Sequence, residues 1–167
     1  MNLGFIGTGK IASSIIIGIF KSNLKINKIY TSSRNRNIAK KLQRRFSKIN
    51  VCISNQQIID NSSVVFLSVT PTVGQKILRG LNFKNKTVIS LISTIKMTEL
   101  KKKINSKNIC KAIPLPFIEN KIGPIIICPK NSIAKKIFSK LGLAIEIQSE
   151  RQSFNFWSTS SLMAAYY

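Results

Sequence analysis

Two glycines one residue apart, Gly7 and Gly9, with Ala12 three places on, have the types and spacing best suited to chemistry in this chain. They follow the apolar run Leu3 to Ile6 and precede Ile11, Ile15, Ile16 and Ile19 at helical spacing, so the stretch reads as strand, turn, helix. Gly7 permits a tight turn, Gly9 lets a phosphate approach the main chain because no Cβ stands in the way, and Ala12 lets helix and strand pack closely. The amides opening that helix, with the helix dipole, suit a pyrophosphate. The pattern is a dinucleotide site of the G-x-G-x-x-A kind. Such a turn also serves as plain punctuation, and it is the strand before and the helix after that favour the nucleotide reading.

A second group stands at the end of the next predicted strand, Lys28 to Ser32, and reads Ser32-Ser33-Arg34-Asn35-Arg36. In nicotinamide dinucleotide sites an acid here binds the ribose 2′-hydroxyl, whereas small polar residues and Arg accommodate a 2′-phosphate. With no acid present, NADPH is favoured over NADH: Arg34 would lie against the phosphate and the serine hydroxyls would bond it. The same residues also fit an ordinary helix start with exposed arginines.

Other chemistries are narrowed by what is missing. The chain has no histidine, which removes Ser-His-Asp and Cys-His arrangements and most zinc sites. Cys52, Cys110 and Cys128 lie far apart in predicted strands and read as reduced, buried small hydrophobes of a cytoplasmic protein. Five dispersed acids offer no carboxylate pair for glycosidase or two-metal chemistry, so no metal site and no catalytic side chain is assigned. Whatever chemistry the chain performs must then be carried by a cofactor.

The elements that must position these groups alternate along the chain. After the opening βαβ unit come a basic helix from Arg36 to Phe46, a strand at 50–53, the segment Asn55 to Asp60, and the apolar strand Val64 to Val69. That strand is continuously apolar apart from Ser68, as suits the centre of a parallel sheet covered on both faces. It ends at Thr70-Pro71-Thr72, where proline can open a helix running to Leu81. A strand at 87–92, the loop Ser93-Thr94, a helix at 98–104 and a strand at 109–113 follow. Pro114-Leu115-Pro116 reads as non-helical; then come a turn at Gly123-Pro124, a strand at 124–128, a helix at 132–141 ended by Gly142, and a last strand at 144–147. This predicts an α/β fold, a doubly wound and mostly parallel sheet with an antiparallel or mixed edge. The loops at Gly7, Ser32, Thr70, Ser93 and Pro114 would face one crevice.

Net charge is +22, from 27 Lys and Arg against five Asp and Glu. The basic residues are scattered over polar helix faces without the aromatic interleaving that stacks bases, so they predict salt-sensitive adhesion to polyanions and no specific nucleic-acid partner. No run reaches the roughly 18 apolar residues of a membrane helix, and the apolar start lacks the basic flank of a secretory signal, which predicts a soluble cytoplasmic domain.

Several blocks in order resemble the pyrroline-5-carboxylate reductase family over essentially the whole chain. Gly4 to Ala12 looks like its G-F-I-G-x-G-x-M-A, Val65 to Pro71 like its strand ending in A-V-K-P, Ser90 to Thr94 like its small-residue loop, and Lys111-Ala112-Ile113-Pro114 like its R-x-M-P. The resemblance implies a Rossmann-type domain holding NADPH, which delivers hydride to the C=N carbon of a cyclic imino acid, yielding proline. It further implies that Gly7, Thr8, Gly9, Lys10 and Ile11 cradle the pyrophosphate, Ser32, Ser33 and Arg34 the 2′-phosphate, and Asn55 the adenosine side. By the same token Val69, Thr70 and Pro71 would line the nicotinamide ribose, with Ser93, Thr94 and Pro114 near the nicotinamide.

The chain departs from the family in three places. Thr70 replaces the Lys of A-V-K-P, Leu115-Pro116-Phe117 replaces N-T-P, and Ser158 to Tyr166 stands, without glycines or proline, where the family begins a helix with S-G-S-G-P-A-Y. Residues 1–150 are thus expected to form the dinucleotide-binding domain and 151–167 the start of a helical domain, cut short here, that makes a homo-oligomer and holds the imino-acid carboxylate. The alternatives are a noncatalytic NADP-binding protein, a related imine or deazaflavin-dependent reductase, and a basic polyanion binder.

Overall fold

Strands alternate with helices from Leu3 onward because apolar runs of four to six residues, able to be buried on both faces, are separated by helices with one apolar stripe. The structure, a computed structural model, describes residues 1–153. Its elements in order are β1 (Leu3–Ile6), α1 (Lys10–Lys21), β2 (Ile29–Ser32), α2 (Arg36–Arg45), β3 (Ile49–Cys52), α3 (Asn55–Asp60), β4 (Val64–Leu67), α4 (Pro71–Ile77), β5 (Thr87–Ser90), α5 (Met97–Lys103), β6 (Asn108–Ile113), β7 (Pro124–Cys128), α6 (Ser132–Phe138) and β8 (Leu143–Glu146).

The strands form a single sheet in the order β3-β2-β1-β4-β5-β6-β7-β8. Neighbours from β3 to β6 are parallel, β7 is antiparallel to β6, and β8 is parallel to β7, which is the doubly wound sheet with a mixed edge expected from the sequence. Alternate residues of the central strands feed two cores. Leu3, Phe5, Val64 and Phe66 pack with Ile15, Ile16 and Ile19 of α1 and Ile137 and Phe138 of α6. Ile6, Val65 and Leu67 pack on the other face with Ile58 and Ile59 of α3 and Leu100 of α5. Phe5 stacks on Phe66 with ring centroids 4.5 Å apart, and Phe138 meets Phe66 edge-on at 6.1 Å. All three cysteines are free and buried, as expected.

The structure corrects several boundaries. β4 and β5 end at Leu67 and Ser90, two residues before the expected Val69 and Ile92. The ladder reaches one residue further at each end, with the Ser68 amide donating to the Ile6 carbonyl and the Leu91 amide to the Leu67 carbonyl, and then gives way to local bonds: Ser90 Oγ accepts the Ile92 amide. α4 stops at Ile77 rather than Leu81, and the chain turns through Gly80 at φ +82°. α6 stops at Phe138 rather than 141. Pro116, expected to be non-helical, opens a 3-10 helix over Pro116–Asn120, since its fixed φ suits a first turn and its missing N–H is not needed there. The helix expected from Phe154 to Tyr167 lies outside the described residues. Among the described residues no helix is long and apolar enough to cross a membrane.

Candidate functional site

In the strand order, β1 lies between β2 and β4, so the connections leaving the two central strands diverge and open a crevice at their carboxyl ends. The turn after β1 forms one lip. Gly7 sits at φ +96°, where L side chains are strained, and a Cβ there would collide with the Ser68 carbonyl oxygen. Ser68 Oγ donates to the Gly7 carbonyl at 2.6 Å, which ties the β1 turn to the end of β4. The Gly7 amide donates to Ser32 Oγ at 3.1 Å, and Thr8 Oγ1 donates to the Ser32 carbonyl at 2.9 Å, which ties it to the end of β2. Both side chains are buried. The Thr8 and Ser32 hydroxyls therefore shape the turn, which leaves Thr8 only its main chain for a ligand and makes Ser33 and Arg34 the accessible members of the second group.

Gly9 is different. A Cβ built on it meets nothing within 4 Å, so the space above it belongs to no part of the described fold. It is also the N-cap of α1, with no side-chain cap and no acid in the first turn. The first intrahelical bond runs from the Ser13 amide to the Gly9 carbonyl, so the amides of Lys10, Ile11 and Ala12 precede it and point out of the helix end. Open space, uncapped amides and the positive end of a twelve-residue helix fit a pyrophosphate.

Two clefts adjoin this lip. One, of about 630 Å³, is walled by Gly7, Thr8, Gly9, residues 34–37, Ser68, Val69, Thr70 and Val73. The other, of about 280 Å³, is walled by Ile6, Gly7, Ser32, Ser33, Arg34, residues 52–55, Val69 and Ile77. They share Gly7, Arg34 and Val69, so the two form one crevice on either side of the glycine turn. Asn55 is held in the second cleft by a capped helix: Ser54 Oγ accepts the Gln57 amide at 3.1 Å, and Gln57 Oε1 accepts the Ile53 amide at 3.0 Å.

Of the residues singled out in the sequence, the crevice thus gathers Gly7, Thr8, Gly9, Ser32, Ser33, Arg34, Asn55, Val69 and Thr70. Lys10, Ile11, Pro71, Ser93, Thr94 and Pro114 are not among the walls of these two clefts. Pro114 is buried, while Ser93 and Thr94 are exposed in the loop that follows β5. Sequence reasoning passed over Arg36, a second exposed guanidinium beside Arg34, and Ile53, which is 91% exposed at the mouth of the second cleft. Arg36 had a signal in the basic string after β2. Ile53 had none, since the sequence places it inside the strand at 50–53, which the structure ends at Cys52.

The thiols offer no nucleophile. Burial raises Cys52, at the second cleft, above the ordinary thiol value, and pushes Cys110 up to about 12, with Cys128 and Glu146 adding to the effect. Among the described residues no three His, Cys, Asp or Glu side chains gather as a metal site would require.

The chain spans 42% of the length of a pyrroline-5-carboxylate reductase of Arabidopsis thaliana, to which it is 30% identical over 116 residues, 67% of its own length. Among solved structures, a 1-pyrroline-5-carboxylate reductase of Streptococcus pyogenes superposes with a TM-score of 0.83 at 22% identity, covering 99% of this chain and 65% of that one. The pyrroline carboxylate reductase of Plasmodium falciparum, solved with NADP bound, gives 0.81 at 22% identity, covering 99% and 64%. At that identity the two structures speak for the shared fold. The family described as NADP oxidoreductase, coenzyme F420-dependent, matches residues 2–94, the span from β1 through the loop after β5 that builds the crevice. By this match over more than half of its length the chain belongs to that family of NADP-binding oxidoreductase domains, and pyrroline-5-carboxylate reductases are among its relatives.

Proposed function

We propose that residues 1–150 are the NADPH-binding domain of a reductase that acts on the C=N bond of a cyclic imino acid, of the pyrroline-5-carboxylate class, in the cytoplasm. The observation that carries this reading is the crevice between β1 and β4, with unfilled space over Gly9 at one lip and Arg34 and Arg36, with no acid, at the other. The α1 amides and the Gly9 main chain hold the pyrophosphate, Asn55 and Ile53 border the adenosine, and Arg34 and Arg36 with Ser33 take the 2′-phosphate. Val69, Thr70 and Pro71 line the ribose on the nicotinamide side, and Ser93, Thr94 and Pro114 flank the nicotinamide end.

When bound, the nicotinamide would supply the hydride that the carbon of the protonated imine accepts; the C=N π electrons become the lone pair on nitrogen, which keeps the proton it already carries as the product amine. The domain's own contribution is orientation and exclusion of water. That division of labour suits a chain without histidine. The substrate carboxylate site and the contact of a homo-oligomer are contributed from outside this domain.

The test is a titration of the protein with NADPH and NADH at near-physiological salt, followed by nicotinamide fluorescence. NADPH is expected to bind at least about tenfold tighter, and Arg34→Ala and Arg36→Ala each to weaken NADPH about tenfold while leaving NADH unchanged, the size of one lost charge-assisted contact. Equal affinities would remove the 2′-phosphate assignment. Absence of binding by well-folded protein would remove the dinucleotide site and favour a polyanion-binding role.

A further inference from the structure

Lys111 lies in the middle of β6 between the fully buried Cys110 and Ala112, and its own side chain is only 2% exposed. Its ammonium donates to the carbonyls of Ser93 and Ile95, each at 2.8 Å, and to Glu150 Oε1 at 2.7 Å. The second oxygen of Glu150 accepts the amide of Met97, the first residue of α5, at 2.9 Å. The loop after β5 is therefore held at residues 93, 95 and 97 by one ion pair of a buried lysine and a half-buried glutamate, whose acid comes from beyond β8. An apolar side chain of similar size could fill this place without desolvating a charge. What the ion pair adds is geometry: two carbonyls, two residues apart, are fixed on a single point.

That loop backs the wall of the crevice. A Cβ on Gly74 of α4 would lie 2.8 Å from Ile92 Cδ1, 3.5 Å from Ile95 Cδ1 and 3.6 Å from Val69 Cγ2, so Ile92, Ile95 and Val69 close together around this glycine. Val69 walls both clefts and Val73, the residue before Gly74, walls the larger. Packed interiors transmit such displacements instead of absorbing them.

We propose that Lys111 is a positioning residue for the nicotinamide half of the dinucleotide, acting through residues 93–95 and the Val69 wall, with Glu150 as the counter-ion that holds it in place. The inference rests on the dinucleotide reading above. It predicts an effect confined to one half of the ligand. 2′,5′-ADP carries the adenosine and the 2′-phosphate but no nicotinamide, so it separates the two halves.

The experiment compares binding of 2′,5′-ADP and NADPH, and the fluorescence of bound NADPH, in the wild type, Lys111→Met, Lys111→Arg and Glu150→Gln. Lys111→Met is expected to bind 2′,5′-ADP within about twofold of the wild type, and NADPH about tenfold more weakly with altered bound fluorescence. Lys111→Arg keeps the charge and the donors and is expected to recover most of the NADPH affinity, with Glu150→Gln in between. A folded Lys111→Met that binds NADPH like the wild type, or loses both ligands equally, overturns the proposal. If Lys111→Met fails to fold, Glu150→Gln decides, and an unchanged ratio of the two affinities there overturns it. A wild type that binds 2′,5′-ADP as tightly as NADPH overturns the proposal alone. A wild type that binds neither overturns the dinucleotide reading and this proposal with it.

Discussion

Ser32 Oγ accepts the amide hydrogen of Gly7 at 3.1 Å across 25 residues of chain, which makes the end of β2 and the turn after β1 one hydrogen-bonded unit. The two lips of the crevice thus share a fastening. Ser32→Ala leaves a buried amide without this acceptor and is expected to cost about 1–3 kcal/mol in urea unfolding. The same variant should weaken NADPH more than a variant of an exposed serine such as Ser47→Ala, a difference that fluorescence titration would register.

Gly7 and Gly9 should respond to substitution in opposite ways. Gly7→Ala puts a Cβ at positive φ against the Ser68 carbonyl and is expected to destabilise the fold by at least about 2 kcal/mol. Gly9→Ser puts a good N-cap residue into open space, so stability should hold or rise by a few tenths of a kcal/mol while NADPH affinity drops at least about tenfold. Thermal melts beside nucleotide titrations test the pair. A Gly9→Ser protein that binds NADPH normally would argue that the space above Gly9 is not a phosphate site.

Phe66 joins α6 to the centre of the sheet, stacked on Phe5 and edge-on to Phe138. Phe66→Ala is expected to cost about 3–5 kcal/mol, near the upper range for a core cavity, and Phe66→Leu considerably less. Chemical denaturation of both variants distinguishes cavity formation from a general intolerance of change at β4.

Two carboxylates make stability depend on acid. For Glu150, burial raises the carboxyl, but the bond from Lys111 and the Met97 amide outweigh it, and the net displacement is below the ordinary value. The Lys135 bond leads in holding Glu146 below it too, with help from the Asn131 amide and against the effect of burial. A carboxyl lowered in the folded state contributes stability above its unfolded value, and that contribution is lost as pH falls through the folded one. Stability from these groups should therefore be level from pH 7 to about 5 and decline below about 4.5. Glu150→Gln should flatten part of that decline in acid titrations followed by circular dichroism.

The alternation of elements and the glycine turn were legible in the sequence because both rest on local patterns: apolar runs of strand length, apolar residues at helical spacing, and two glycines after a strand. Arg34 was legible for the same reason, being fixed by its distance from β2. Contacts between distant positions were not. Nothing around Lys111 announces that its partner is Glu150, 39 residues away: the residue falls inside the expected strand at 109–113 and in the block that resembles R-x-M-P, and neither pattern names a counter-ion. Ser32 looked like a ligand group by type and position, yet its hydroxyl is engaged by Gly7 and Thr8. Loop residues such as Ser93 and Pro114 were assigned through resemblance, and no local pattern could say how far from the glycine turn their loops would lie.

The empty volume above Gly9 has a consequence for a living cell. Quality control inspects whether a chain is folded, and a side chain that enters only the open space above Gly9, the proposed pyrophosphate site, leaves that inspection with nothing to detect. Damage at Gly7 would be cleared by proteases as a loss of abundance, whereas damage two residues later would persist as normally abundant protein with the proposed phosphate site blocked.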